Sequence, residues 1–124
     1  MSYKVSIYIP AFNAEKTIEY SIKSIQNQSL PFDEIIVIDD HSTDSTNEIV
    51  KNFREIKLIT NSENMGLGFN RNLAIKHCNN EIVAAIDADV VLDKFWLENI
   101  LKTFEKNKIT MSGGKMIEKN VGNI

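Results

Sequence analysis

The sequence predicts an α/β fold: one mainly parallel sheet covered by helices on both faces. Three observations carry this. Short apolar runs rich in β-branched residues alternate with amphipathic stretches along the 124-residue chain. One of these runs, Ile35–Ile38, is continuously apolar, the pattern of a strand buried on both faces. The runs also stop at polar, acidic or glycine-containing segments, as strands do where such a sheet opens on a ligand crevice.

The elements follow in order. Val5–Ile9 reads as the first strand, closed by Pro10. Ala14–Gln28 carries Ile18, Ile22 and Ile25 at helical spacing, with Asn13 available to cap its start. Ile35–Ile38 is the second strand. After the polar stretch His41–Ser45 comes a helix carrying Ile49, Val50 and Phe53, with Ser45 and Glu48 at capping-box spacing. Ile56–Thr60 is the third strand, and Leu67–His77 a helix with Phe69 and Leu73 on one face. Ile82–Ile86 is the fourth strand. Asp93 caps a last helix carrying Trp96, Leu97, Ile100, Leu101 and Phe104, and Ile109–Met111 begins a fifth strand. Right-handed crossovers with a switch between the first and fourth strands give the order 3-2-1-4, with every polar strand end in one crevice.

Composition narrows the function. The chain is 43% apolar and 25% charged, which is ordinary for one globular domain over residues 1–124. Its 14 basic and 17 acidic side chains give a net charge of −3, so a broad nucleic-acid surface is disfavoured. The single cysteine, Cys78, excludes an intrachain disulfide and a multi-cysteine zinc site, and no activating base adjoins it. No run is long and apolar enough to span a bilayer, and the first residues lack a signal-peptide core. A cytoplasmic location is expected. His41 and His77 are isolated and read as solvated or structural. No G-x-G-x-x-G follows the first strand, and neither a P-loop nor a G-x-S-x-G elbow occurs.

The densest chemical signal is acidic. Asp39 and Asp40 close the second strand, and Asp87 and Asp89 close the fourth. Carboxylates brought to a strand end need donors or a cation. Their oxygens suit hard ions such as Mg²⁺ or Mn²⁺, and such an ion can bridge phosphate oxygens. The plainer reading is that these acids cap the helices that follow. Within the first pair, Asp39 is the candidate for the buried, backbone-bonded member, leaving Asp40 to face a ligand. The segment Asn64-Met65-Gly66-Leu67-Gly68-Phe69-Asn70-Arg71 supplies a second signal. Its glycines permit close backbone approach at a helix start, and Arg71 can reach a phosphate or brace an acid. A glycine turn followed by a surface arginine is the alternative.

Taken together, the four strand ends resemble one family. Val5-Ser-Ile-Tyr-Ile-Pro-Ala-Phe-Asn13 looks like the opening strand and P-x-[FY]-N turn of family 2 glycosyltransferases with the GT-A fold. Ile35-Ile-Val-Ile-Asp-Asp-His-Ser-Thr-Asp44 resembles their V-D-D-x-S-x-D segment. Asn64-x-Gly66 with Arg71-Asn72 resembles their N-x-G…R-N segment, and Ala85-Ile-Asp-Ala-Asp89 their D-x-D motif. The resemblance runs from about Val5 to Phe104. It departs at His41, where many members carry Gly or Asn, and at Gly66-Leu-Gly-Phe, looser than the usual small-residue run.

The resemblance implies a Rossmann-like α/β/α sandwich and a nucleotide-sugar site. Pro10, Ala11, Phe12 and Asn13 would line the base and ribose. Asp40 would accept from the base, commonly a uracil N–H, and Asn64 and Arg71 would help hold the nucleotide. Asp87 would contact ribose or donor sugar beside Ala88, and Asp89 would hold a divalent metal, Mg²⁺ or Mn²⁺, on the diphosphate. The implied partner is a nucleotide-diphosphate sugar, with UDP the first candidate, and the implied chemistry is inverting transfer to an unspecified saccharide, lipid or protein acceptor. The inner face of a membrane is then an alternative location. The family's acceptor-side half, with its general base, is expected to lie beyond this chain. Only Glu118 offers an acid after the fifth strand, and an exposed half-domain surface invites homo-oligomerisation. Rival readings are a receiver-type phosphoacceptor module with Lys115 as its lysine, a phosphatase of the haloacid-dehalogenase type built on Asp87-Ala-Asp89-Val, and a non-catalytic α/β binding module.

Overall fold

A computed structural model describes residues 3–107. Four strands, β1 (Val5–Ala11), β2 (Glu34–Asp39), β3 (Lys57–Thr60) and β4 (Ile82–Ala85), alternate with four helices, α1 (Ile18–Gln26), α2 (Thr46–Lys51), α3 (Leu67–His77) and α4 (Trp96–Asn107). The sheet order is β3-β2-β1-β4 and every pairing is parallel. This is the expected order, and it follows from right-handed crossovers that reverse direction across the sheet between β1 and β4. The expected fifth strand at Ile109–Met111, together with Lys115 and Glu118, lies outside the described residues.

Alternation along the central strands sorts the core into two layers. Ile7, Ile9, Ala11, Ile35 and Val37 meet Ile18, Ile22 and Ile25 of α1 and Val50 of α2 on one face. Tyr8, Ile36 and Ile38 meet Ala74 of α3 on the other, with Leu73 and Cys78 packed alongside. Because β1 and β2 lie between neighbours and under helices on both sides, nearly all their residues are buried.

The structure corrects several local expectations. β1 runs through Pro10 to Ala11 rather than closing before it. Ile86 donates to the Tyr8 carbonyl and Asp40 to the Ala11 carbonyl, so even-numbered residues of β1 face β4 and odd-numbered ones face β2. Pro10 therefore faces the β4 side, beyond Tyr8, the last residue paired there, and its missing N–H removes no ladder bond. Asn13 does not cap α1, whose N-cap is Thr17, because the Asn13 side chain accepts from Thr43 instead. The Ser45–Glu48 capping box does not form: the Ser45 side chain makes no cap bond, and the Glu15 carboxylate takes the Ser45 N–H that Glu48 would have accepted. Phe69 is half exposed, and α3 buries Asn70 and Ala74 instead. Asp93 does cap α4, accepting from the Phe95 N–H at 2.9 Å.

Candidate functional site

The carboxyl ends of β1, β2 and β4 lie side by side, and the loops that follow β1 and β2 are fixed to one another by side chains. The β1 turn is latched to the β2 loop. Asn13 donates its N–H to the Ser42 hydroxyl at 2.9 Å, and its side-chain oxygen accepts from the Thr43 N–H at 2.8 Å. Ala14 donates to the Thr46 hydroxyl and Glu15 to the Asp44 carboxylate, while the Glu15 carboxylate takes the Ser45 N–H in return. Burial pushes the Asp44 carboxyl up, but bonds from the Thr46 hydroxyl, the Thr46 N–H and the Glu15 N–H outweigh it and hold the group below the ordinary aspartate range. The Ser-Thr-Asp run after the acid pair is thus the fastening that gives the Pro10–Asn13 turn its shape.

Two residues in this latch sit in the left-handed region, Asn13 at φ 48° and His41 at φ 64°. Asparagine and histidine visit this region more than most residues, but each carries a backbone cost there that glycine does not. This is the physical reason glycine or asparagine suits the position after the acid pair.

The acid pair divides its work in an unforeseen way. Asp39 is buried at 1% exposure and accepts from the Ser42 N–H at 3.0 Å and the Asn47 amide at 2.8 Å. It is the backbone-bonded member expected. Asp40 is nearly as buried, at 4%, and is backbone-bonded too. Its Oδ1 accepts from the Met65 N–H at 2.7 Å and the Asn61 amide at 2.9 Å, and its Oδ2 from the Gly66 N–H at 3.0 Å. Desolvation pushes this carboxyl up, but the donors from Met65, Asn61, Gly66 and Asn70 outweigh it and lower its pKa. A carboxylate has about four acceptor directions and these four donors occupy them, so a ligand donor at Asp40 has to share or displace one of them.

Gly66, at φ 88°, opens α3 in a conformation that favours glycine. Asn64 lies exposed beside the pair, with its amide 3.4 Å from the Asp40 carbonyl. Arg71 is exposed on the first turns of α3 and bonds to no described residue, so its guanidinium is available to an anion. Phe12 is half exposed on the β1 turn, where a planar base can lie against it.

Asp87 and Asp89 follow β4, both exposed, and neither carboxylate accepts a hydrogen bond from a described residue. Among the described residues no three acidic, histidine or cysteine side chains converge into a metal cage. Two free carboxylates at a strand end nevertheless fit a hard divalent ion, which is commonly held by one or two acids and completed by substrate phosphates and water. A groove of about 710 Å³ between α1 and the segment after β4 reaches Asp89 and is walled by Tyr20, Ser24, Val91 and Leu92. It includes none of the residues at the end of β2.

Sequence reasoning passed over Asn61 and Asn70. Asn70 is 2% exposed on the inner face of α3, and its oxygen accepts from the Asn61 amide at 2.6 Å. A polar, poorly helix-forming residue one turn before the buried Ala74 was the available signal.

Comparison with known proteins places this geometry. Residues 6–123 match the model of the family described as "Glycosyl transferase family 2". An Escherichia coli protein, UDP-Glc:alpha-D-GlcNAc-diphosphoundecaprenol beta-1,3-glucosyltransferase WfgD, is 37% identical over 90% of this chain and 45% of its own length. A Campylobacter jejuni protein, GalNAc(5)-diNAcBac-PP-undecaprenol beta-1,3-glucosyltransferase, is 33% identical over 98% of this chain and 40% of its own. The chain thus spans less than half the length of these relatives. Residues 1–349 of S. aureus TarS, solved in complex with UDP, superpose with a TM-score of 0.78 at 28% identity, covering 94% of this chain and 38% of that one. The mannosyltransferase PcManGT from Pyrobaculum calidifontis, solved with GDP-Man and Mn²⁺, superposes with a TM-score of 0.78 at 29% identity, covering 84% of this chain and 33% of that one.

Proposed function

The chain belongs to glycosyltransferase family 2, and from that premise we propose that its described residues bind the nucleotide of a nucleotide-diphosphate sugar, UDP-linked by preference, for transfer to an acceptor. The observation that carries this reading is the convergence at one sheet end of the latched Pro10–Asn13 turn, Asp40 and the two free carboxylates of Asp87 and Asp89.

The residues divide the donor between them. Phe12 offers a face to the base, and the turn from Pro10 through Ala11 to Asn13 lines base and ribose. Asp40 accepts an N–H from the base edge by sharing an acceptor direction with one of its loop donors, and its existing bonds hold it ionised for that purpose. Asn64 and Arg71 approach the nucleotide from the start of α3. Asp87, with Ala88 beside it, would meet the ribose or the sugar, and Asp89 would hold Mg²⁺ or Mn²⁺ on the diphosphate. When bound, such an ion neutralises charge on the leaving diphosphate.

The complete reaction, its inverting stereochemistry and its acceptor are part of the proposal. Both curated relatives described above carry undecaprenyl-diphosphate-linked substrates in their names, which favours a lipid-linked acceptor and work at the inner face of the membrane. Among the described residues no helix is long and apolar enough to cross a membrane. The test is calorimetric titration with UDP, GDP and their sugars, with and without Mn²⁺. Saturable UDP binding strengthened by Mn²⁺ is expected. Absence of binding to every nucleotide contradicts the reading.

A further inference from the structure

We infer that Ser21 of α1 is a positioning residue for the acid pair after β4, with Ser24 and Gln28 continuing its work along the segment that follows. This deepens the proposed function and rests on the assignment of Asp89 to the metal.

The segment 86–95, between β4 and α4, has no regular structure, so its backbone groups need partners from elsewhere. α1 and the chain just past its end supply them from polar side chains. The Ser21 hydroxyl donates to the Ala88 carbonyl at 2.9 Å. The Ser24 hydroxyl accepts from the Leu92 N–H at 3.0 Å. The Gln28 amide donates to the Asp93 carbonyl at 2.6 Å and its oxygen accepts from the Leu97 N–H at 3.0 Å. Ser21 and Ser24, three apart on α1, flank the isoleucine stripe formed by Ile18, Ile22 and Ile25, and Gln28 follows two residues past the helix end.

Ser21 is fully buried. An apolar side chain would bury there at less desolvation cost, so the hydroxyl is explained by the carbonyl it reaches. That carbonyl belongs to the peptide joining Ala88 to Asp89. Rotation of this peptide swings the Cα–Cβ direction of Asp89. The Asp89 carboxylate has no hydrogen bond from a described residue, so it is aimed by its backbone. Ser21 holds one side of that backbone, and the Val90 N–H on the Asp87 carbonyl, at 3.1 Å, closes the turn on the other.

The experiment compares UDP affinity with and without Mn²⁺ in wild type, Ser21→Ala, Ser24→Ala and Asp89→Ala. The readout is the ratio of the two affinities, which a loss of fold stability alone does not move. Ser21→Ala is expected to lower the ratio about fivefold, the equivalent of one ordinary hydrogen bond. Ser24→Ala, farther from the acids, is expected to lower it about twofold and carries the test should Ser21→Ala not fold. An unchanged ratio in the folded variants, with Asp89→Ala abolishing the metal effect, overturns the role of Ser21 while leaving Asp89 in place. A metal effect that survives Asp89→Ala overturns the assignment of Asp89, and the positioning role with it.

Discussion

The Asp40 carboxylate accepts the Gly66 N–H at 3.0 Å, which ties the end of β2 to the first residue before α3. Through this bond and the one from Met65, the buried Asp40 carboxylate shapes the loop that leads into α3. The side chain proposed to read the base therefore also sets the loop geometry.

Asp40→Asn is expected to affect both. The amide retains one oxygen and turns an NH₂ toward either the Gly66 or the Met65 N–H, so a buried backbone donor loses its partner. A charge-assisted bond contributes about 1.5–3 kcal/mol, so UDP affinity should fall about tenfold or more. The thermal midpoint should fall with it. Titration and melting of the same preparation read both effects, and equal UDP affinity in variant and wild type removes Asp40 from the base site.

Asp39→Asn separates from it. Asp39 faces the Ser42 N–H and the Asn47 amide rather than the glycine turn. Losing one of these acceptors should cost about 1–3 kcal/mol of stability, with a smaller change in UDP affinity than Asp40→Asn produces. Paired denaturant melts and titrations compare the two variants.

Acid should loosen the strand-end loops. The Asp40 and Asp44 carboxyls both lie below the ordinary aspartate value of 3.8 in the folded protein. Groups lowered on folding stabilise fully above their unfolded pKa and lose that contribution as pH falls through the folded value. The thermal midpoint should therefore hold on descending toward 3.8 and drop below it. Asp44→Asn should start lower at neutral pH and show a shallower acid drop, read by melting across the acid range.

His41 tests the strain at φ 64°. Left-handed backbone costs a non-glycine residue about 1–2 kcal/mol, partly offset in a glycine variant by unfolded-state entropy. His41→Gly is expected to stabilise the protein by about 0.5–1 kcal/mol, and His41→Val to destabilise it. Chemical denaturation measures both, and a destabilised glycine variant contradicts the strain.

The fold was legible because periodicity and buried-strand runs are local signals. Ile35–Ile38 has the pattern of an interior strand, and Ile18, Ile22 and Ile25 recur at helical spacing. Element ends were less legible. Pro10 sits inside β1 because β4 stops short of it, and no local property of the sequence states where a neighbouring strand ends. The acids of the candidate site announced themselves by type and place. Their fastenings did not, since Asn61, Asn70, Ser21 and Gln28 bond across 9 to 69 positions of sequence and look like ordinary surface polar residues until the chain is folded. Asn13 shows the same limit. Its position suggests a cap, yet its side chain is taken by Thr43, 30 residues away.

The most direct test of a nucleotide site at these strand ends is amide chemical-shift mapping of the ¹⁵N-labelled protein during titration with UDP, first without metal and then with Mg²⁺. The expected shifts cluster at Phe12, Asn13, Asp40, Asn64 to Gly66 and Asp87 to Asp89, with the last group moving further when Mg²⁺ is added. Saturable shifts confined to other parts of the sheet, or none at any UDP concentration, would contradict the account.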